Sequence, residues 1–349
     1  MSQTGAGQSR ERTNGVPHFR APRAAWWLPG PHLPTLFGKL ARRVPWPRTT
    51  RVRLATQDGD TIAIERVDGR HDLPRIIVFH GLEGGTHSTY ARGVLREAER
   101  RGWSADLVLW RTCDGEPVNA VARSYHSGAS DDAGFVIEQL LAEKRAGPTF
   151  LLGVSLGANV LLKWLGEQGA RVPASIGAAV AVSTPFDLGA AARKIERGFS
   201  RVYGRFFLRS LRAKTAAKLG RFPALVDAQA LAAARTLREF DELVTAPVHG
   251  YKGADDYYER ASSLQFLESI RVPTLLLNAR NDPFLPRAVL DRVAAAAARN
   301  PFLHCAFPAG GGHVGFISGN TPFAPEYWME VACLDWMREA AELRASIRA

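Results

Sequence analysis

Ser155, Asp282 and His313 are the residues whose types and surroundings suit one chemistry, the attack of an activated hydroxyl on an acyl carbon. Ser155 stands in Gly153-Val154-Ser155-Leu156-Gly157, between an apolar run at 149–152 and an apolar-periodic stretch at 158–165. Strand, sharp turn and helix are the setting in which G-x-S-x-G forms a nucleophile elbow. A serine on so tight a turn takes a strained backbone conformation, and the positions two before and two after it must carry almost no side chain. Its hydroxyl then sits at a helix N-terminus, where backbone N–H groups stabilise a developing oxyanion. The pattern alone is weak, because an ordinary Gly-rich turn also satisfies it, so its context has to carry the reading.

A serine nucleophile needs an imidazole base, and the base needs a carboxylate to orient it. In sheets of this kind the order along the chain is Ser, then Asp or Glu, then His, each past the C-terminal end of a strand. Asp282 lies in Arg280-Asn281-Asp282-Pro283, just after the apolar run 273–279. His313 lies in Gly310-Gly311-Gly312-His313-Val314-Gly315, just after the run 303–307, and its glycines let the imidazole turn back toward the serine. The other histidines suit the task less well. His80 adjoins a Gly-rich loop and is expected to shape it, and His304 is inside a strand. His249 falls in a helical stretch away from the sheet, while His18, His32 and His71 precede or fall outside the expected topology. His126 and Asp131 also read H-x₄-D, a spacing found in some acyltransferases, but His126 is better taken as a loop residue bonded to backbone.

The elements that must position these groups alternate. A hairpin is expected at 51–55 and 61–65, turning at Asp58-Gly59. The run 75–79 suits a strand buried on both faces. It leads into His80-Gly81-Leu82-Glu83-Gly84-Gly85, where a second oxyanion donor belongs. A helix at 90–101, a strand at 105–110, and a helix capped by Ser130 and running to about 144 follow, then the elbow and a strand at 176–182. The sequence thus specifies an α/β fold with a mostly parallel, eight-stranded sheet flanked by helices. The alternation breaks at 187–267, read as a helical cap inserted after the sixth strand. In it Ile195, Phe199, Val202, Phe206 and Leu211 share a face, interleaved with Arg201, Arg205, Arg209 and Arg212. That face is expected to pack on the core or roof the site rather than bind lipid. The core is assigned to 51–186 and 268–345, with a strand at 273–279, a helix at 287–298, a strand at 303–307 and a final helix at 327–343.

Residues 1–20 read as a disordered tail and 21–50 as an N-terminal arm. Within the arm, Trp26, Trp27, Leu36 and Phe37 favour packing on the domain over an amphipathic toehold on a membrane, and Pro29, Pro31 and Pro34 exclude a long helix. The 349 residues, 46% hydrophobic and 23% charged, fit a soluble globular protein. No apolar run approaches a membrane span, no signal peptide is recognisable, and the expected location is the cytoplasm. Cys113, Cys305 and Cys333 form neither a disulfide framework nor a metal site. The net charge of +11 is concentrated in 10–53 and 194–221. Without a nucleic-acid-binding motif it points to a solvated basic face, to an acidic substrate or to peripheral contact with an anionic membrane surface, not to nucleic acid. Nothing indicates the oligomeric state.

The stretch His80-Gly81-Leu82-Glu83-Gly84-Gly85-Thr86-His87-Ser88-Thr89-Tyr90 resembles the signature of the YheT-like hydrolases, an alpha/beta-hydrolase family. Tyr125-His126-Ser127-Gly128 with Asp132, Glu196-Arg197-Gly198-Phe199-Ser200-Arg201-Val202-Tyr203, and Asp256-Tyr257-Tyr258 with Ala261-Ser262 are similar too. So is the arm segment Pro31-His32-Leu33-Pro34-Thr35-Leu36, where relatives usually carry Gln at position 34. Arg111-Thr112-Cys113-Asp114-Gly115 departs from the usual Arg-Gly-x-x-Gly of a loop. The resemblance spans about residues 30–340 and implies Ser155 as nucleophile, Asp282 as acid and His313 as base, acting without metal or organic cofactor. The expected activity is cleavage of small-molecule or lipid-like carboxylic esters (short- to medium-chain acyl esters or lipid-like esters) through an acyl-enzyme on Ser155, with the N–H groups of Leu82 and Leu156 holding the oxyanion. The alternatives are an alcohol O-acyltransferase using the same triad, or a non-catalytic protein of this fold that binds membranes or a partner.

Overall fold

The computed structural model of the chain describes residues 17–348 apart from Pro117. The chain opens with a short helix α1 (His32–Leu40) and a hairpin of β1 (Thr50–Ala55) and β2 (Thr61–Val67). It then alternates through β3 (Arg75–Phe79), α2 (Thr89–Arg100), β4 (Ser104–Leu109), α3 (Ser130–Leu141), β5 (Thr149–Val154), α4 (Leu156–Gln168) and β6 (Ile176–Val182). A helical insertion follows: α5 (Leu188–Ile195), α6 (Arg201–Lys218), α7 (Ala228–Ala233), α8 (Leu237–Phe240), α9 (Ala246–Val248) and α10 (Ala254–Ala261). The sheet resumes with β7 (Thr274–Leu277), α11 (Arg287–Ala297) and β8 (Leu303–Ala306). A small pair, β9 (Ile317–Ser318) with β10 (Glu326–Tyr327), and the helix α12 (Met329–Arg348) complete it.

The eight strands lie in the order β1-β2-β4-β3-β5-β6-β7-β8. β1 and β2 are antiparallel to each other, β2 is antiparallel to β4, and every other pairing is parallel. Parallel central strands must be apolar on both sides because helices cover both faces. β3, β5 and β6 are buried at every position. The alternation within β3 divides the core: Ile77 and Phe79 join the cluster that α3, α4 and α11 also enter, while Ile76 and Val78 join the one with α2 and α12. Their C-terminal ends line up along one edge, and ligands of open α/β sheets bind outside that edge.

Several expectations need correction. Residues 1–16 of the expected tail lie outside the described residues, but 17–20 belong to the fold. Phe19 is buried, its N–H donates to His304 Nε2 at 3.3 Å, and Pro17 O accepts from Trp336 Nε1 at 2.9 Å. In the arm Trp27 meets Phe37 edge-on, whereas Trp26 stays 75% exposed. Pro34 is tolerated in α1 because it falls in the first turn, where its missing N–H is not needed. Ser130 does not cap α3: Ala129 holds that position, and Ser130 Oγ instead accepts from Lys163 Nζ at 2.9 Å. The apolar stripe read as one helical face is split at Gly198, whose φ of +56° ends α5 before α6 begins. Phe199, Val202 and Phe206 do not pack on the core; they line the cavity over the site, the roofing alternative, and stay about half exposed.

Candidate active site

β5 delivers Ser155 to the sheet edge, and its backbone takes φ 54°, ψ −118°, the strained elbow geometry. Its N–H is fixed to Val182 O at 2.8 Å. The glycines on either side are forced by contact. A Cβ on Gly157 would lie 2.3 Å from Phe79 O, and one on Gly153 would lie 2.6 Å from Ala158 Cα. β7 delivers Asp282, whose residue is 4% exposed. One carboxylate oxygen, Oδ1, accepts from Phe284 N at 2.8 Å, leaving Oδ2 for the imidazole.

His313 comes from the loop after β8 and lies between the two. Its Nδ1 is 2.9 Å from Asp282 Oδ2 and its Nε2 is 3.0 Å from Ser155 Oγ. An ionised carboxylate can only accept, so Nδ1–H donates to Asp282 and Nε2 is left as the acceptor for the Ser155 hydroxyl. The loop is held along its backbone: Gly312 N–H donates to Asn281 Oδ1 (3.0 Å), His313 N–H to Thr35 Oγ1 (2.9 Å) and Val314 N–H to Ser183 Oγ (3.0 Å). The Phe284 ring stands 4.2 Å from the imidazole centroid and fixes its plane. Thr35, Ser183, Asn281 and Phe284 escaped the sequence reading. Asn281 and Phe284 flank Asp282, so proximity pointed to them, while only the arm motif hinted at Thr35.

The loop after β3 faces the elbow, with Gly81 packed so that an added Cβ would lie 3.0 Å from Ser155 Cβ. Most of its N–H groups are already engaged: Gly81 with Tyr90 Oη (2.9 Å), Glu83 with Tyr125 Oη (2.8 Å), Gly84 with Gly81 O (3.0 Å) and Gly85 with Ser88 Oγ (3.2 Å). Leu82 N–H is the one from 81–85 with no acceptor among the described residues. Leu156 N–H, at the first turn of α4, is likewise free, as helix-initial N–H groups are. Two unspent donors therefore flank the serine. A cavity of about 1390 Å³ opens over this edge, lined by Ser155, Leu82, Leu156 and His313 and by aliphatic and aromatic side chains of α1, α5 and α6.

The remaining histidines stand outside this constellation. His80 is fully buried; its Nδ1 bonds Gly81 O at 2.7 Å and its Nε2 accepts from Trp110 N–H, so it shapes the Gly-rich loop, and burial pushes its pKa down to about 4. His126 Nδ1 accepts from Gly128 N–H and its ring lies 4.1 Å from that of His249. Asp131 points away to Arg123 at 2.6 Å, so the H-x₄-D residues do not meet. His304 accepts from Phe19, His32 Nδ1 lies 3.3 Å from Tyr203 Oη, and His18 meets the His304 ring edge-on. His71 is exposed. Asp132 binds Arg111 through both oxygens at 2.8 Å, fixing the loop after β4. Among the described residues no group of His, Cys, Asp and Glu is arranged to hold a metal ion, and no helix is long and apolar enough to cross a membrane.

This fold and edge are those of an alpha/beta hydrolase: a family model described as the alpha/beta hydrolase fold matches residues 74–320. The chain is 38% identical over 319 residues, 90% of its length and 92% of the relative's, to "Putative esterase YheT" of Escherichia coli (strain K12). It belongs to the YheT-like branch of the alpha/beta hydrolases. It is also similar to "Monoacylglycerol lipase" of Saccharomyces cerevisiae (strain ATCC 204508 / S288c), 30% identical over 254 residues, 70% of this chain and 55% of that one. Among solved structures, the esterase Pf2001 of Pyrococcus furiosus aligns over 86% of this chain and 96% of its own with a TM-score of 0.51. At 15% identity that likeness concerns the fold alone.

Proposed function

We propose that the chain is a carboxylic ester hydrolase working through an acyl-enzyme on Ser155. The observation that carries this reading is the continuous hydrogen-bonded chain from Ser155 Oγ through His313 to Asp282 at the floor of a large apolar cavity. His313 Nε2 takes the hydroxyl proton as Ser155 attacks the ester carbonyl. Asp282 holds the tautomer and balances the imidazolium. The N–H groups of Leu82 and Leu156 receive the oxyanion, each contributing about 3 kcal/mol to the transition state. The imidazolium then gives its proton to the departing alkoxide and water enters; His313 deprotonates the water as it attacks the acyl carbon, the bond to Ser155 Oγ breaks, and the imidazolium returns its proton to Ser155 as the acid leaves. Residues 187–267 act as a cap that sets which acyl chain fits. A fluorophosphonate that labels wild type but not Ser155→Ala, together with loss of p-nitrophenyl ester turnover in that variant, is the expected result. Wild-type turnover in folded Ser155→Ala would end the proposal.

The substrates are lipid-like, and the cavity mouth meets them at an anionic bilayer surface. Phe199, Val202 and Phe206 are 52, 53 and 54% exposed at the rim, and Leu40 of α1 is 76% exposed. Lys39 Nζ lies 4.0 Å from the Phe206 ring centroid, which brings α1 and α6 side by side. Neither 17–57 nor 197–226 contains an acidic residue, and Arg197, Arg201, Arg205 and Arg209 are all exposed. Exposed aromatic side chains set among arginines suit an interfacial helix on anionic lipid. Co-sedimentation with phosphatidylglycerol vesicles but not phosphatidylcholine vesicles, lost in Phe199→Ser/Phe206→Ser, is expected. Equal partition to neither lipid would remove the membrane part and leave the esterase reading standing.

A further inference from the structure

Leu82 is pinned through both of its neighbours, and one of them reaches the helical insertion. Gly81 is held by Tyr90 and has no room for a side chain beside Ser155. Glu83, on the other side, takes a left-handed φ of 54°. A non-glycine residue seldom occupies that region unless its surroundings hold it there. Here they do: Glu83 N–H donates to Tyr125 Oη at 2.8 Å while Tyr125 Oη–H donates back to Glu83 Oε1 at 2.7 Å. Lys214 of α6 donates to the same Oε1 at 2.9 Å, and Ser210, one turn earlier, donates to Oε2. The Lys214 and Glu83 side chains are 22% and 6% exposed, so the pair is largely out of water. Burial by itself would raise the Glu83 carboxyl, yet Lys214, Ser210 and Tyr125 together hold it below the ordinary carboxylate value. Lys214 Nζ also touches Cys113 Sγ at 3.4 Å, and among the described residues Glu83 is its ion-pair partner.

We propose that Glu83 and Lys214 are positioning residues that latch the oxyanion loop to α6, so that Leu82 N–H faces the reacting carbonyl oxygen only while α6 is seated over the site. This rests on the esterase reading above. Removing the lysine leaves a buried carboxylate without its counter-charge, which must take up a proton or turn out to water. Either change frees the side-chain bonds that hold Glu83 in the left-handed region, and Leu82 moves with it. The helix that carries the apolar rim of the cavity thereby controls the strength of the oxyanion hole. Acyl-chain binding and transition-state stabilisation are linked through one ion pair.

The test compares Lys214→Met, Lys214→Arg and Ser210→Ala in the full chain. The readouts are kcat and KM on p-nitrophenyl butyrate, the affinity of an alkyl trifluoromethyl ketone, which forms an oxyanion on Ser155, and the affinity of the matching alkyl ether, which forms none. Lys214→Met is expected to lower kcat and trifluoromethyl ketone affinity together by about 10–100-fold, with KM and ether affinity within about twofold of wild type. Ser210→Ala should move the same pair less, and Lys214→Arg should restore most of kcat. Ketone affinity and kcat both within about twofold of wild type in Lys214→Met would overturn the latch. So would a parallel loss of ether binding, because that marks general damage to the cavity. If circular dichroism shows Lys214→Met unfolded, Ser210→Ala, which deletes one hydroxyl, decides by the same criteria. A wild type that neither hydrolyses the ester nor reacts with fluorophosphonate would instead end the esterase reading itself.

Discussion

Replacing Asp282 by Asn tests the tautomer logic with almost no change of shape. Asp282 Oδ1 is committed to Phe284 N–H at 2.8 Å and Oδ2 to His313 Nδ1 at 2.9 Å. An amide in the same place has one acceptor and one donor. The acceptor must stay on Phe284, whose N–H is buried and would otherwise lose its only partner among the described residues, so the NH₂ faces His313. Two donors cannot face each other, and the imidazole responds by moving its proton from Nδ1 to Nε2. Nε2 then no longer accepts from Ser155 Oγ, and the serine has no base. In serine hydrolases built on the same three groups this exchange lowers kcat by about 10⁴, equivalent to about 5.5 kcal/mol of transition-state stabilisation. The side chain is only 1% exposed, so no solvent route relieves the mismatch. Steady-state hydrolysis of p-nitrophenyl butyrate by Asp282→Asn should show that loss in kcat, with KM little changed and the circular dichroism spectrum intact. A fall of less than about tenfold in a folded variant would refute the assignment of Asp282 and, with it, the tautomer read from the geometry.

Other perturbations separate the supporting contacts. Thr35→Val removes the acceptor of His313 N–H; kcat should fall by roughly tenfold as the loop loosens, matching a lost bond of about 1–2 kcal/mol, whereas Thr35→Ser should restore it. Gly157→Ala drives a methyl toward two backbone carbonyls at 2.3 and 2.6 Å, neither of which can yield cheaply; urea unfolding should show a loss of about 3 kcal/mol or more. Stability should also depend on pH through buried groups of opposite sign. His80 and His249 are pushed down to about 4 by burial, and His126 is lowered as well. Between about 4 and 6.5 the unfolded chain therefore binds more protons at these sites, and their contribution is lost as pH falls through that window. Asp241, pushed up to about 6 by burial, does the reverse from about 6 down to 3.8, because there the folded state holds the extra proton. Asp241→Asn should accordingly steepen the loss of urea stability on acidification by up to about 1.4 kcal/mol per pH unit, and an unchanged slope would contradict the burial argument.

What the sequence made legible follows from how locally each feature is encoded. β3 and β6 are continuous apolar runs closed by turn residues, and they lie where the runs predict, at Arg75–Phe79 and Ile176–Val182. The positions of Ser155, Asp282 and His313 are legible for a related reason, since a polar residue directly after such a run must emerge at the sheet edge. Contacts made by one hydroxyl or one carboxylate across a long stretch of chain leave no periodic trace. Thr35 reaches His313 and Glu83 reaches Lys214 over such separations. The α6 stripe left two outcomes open, packing on the core or roofing the site, and its Phe199, Val202 and Phe206 line the cavity over the site. Periodicity reports that a face is apolar and is silent on what covers it. At Phe199, Val202 and Phe206 that covering is the open cavity and solvent. On the reading proposed above, a half-exposed apolar rim beside four arginines is a surface that meets lipid.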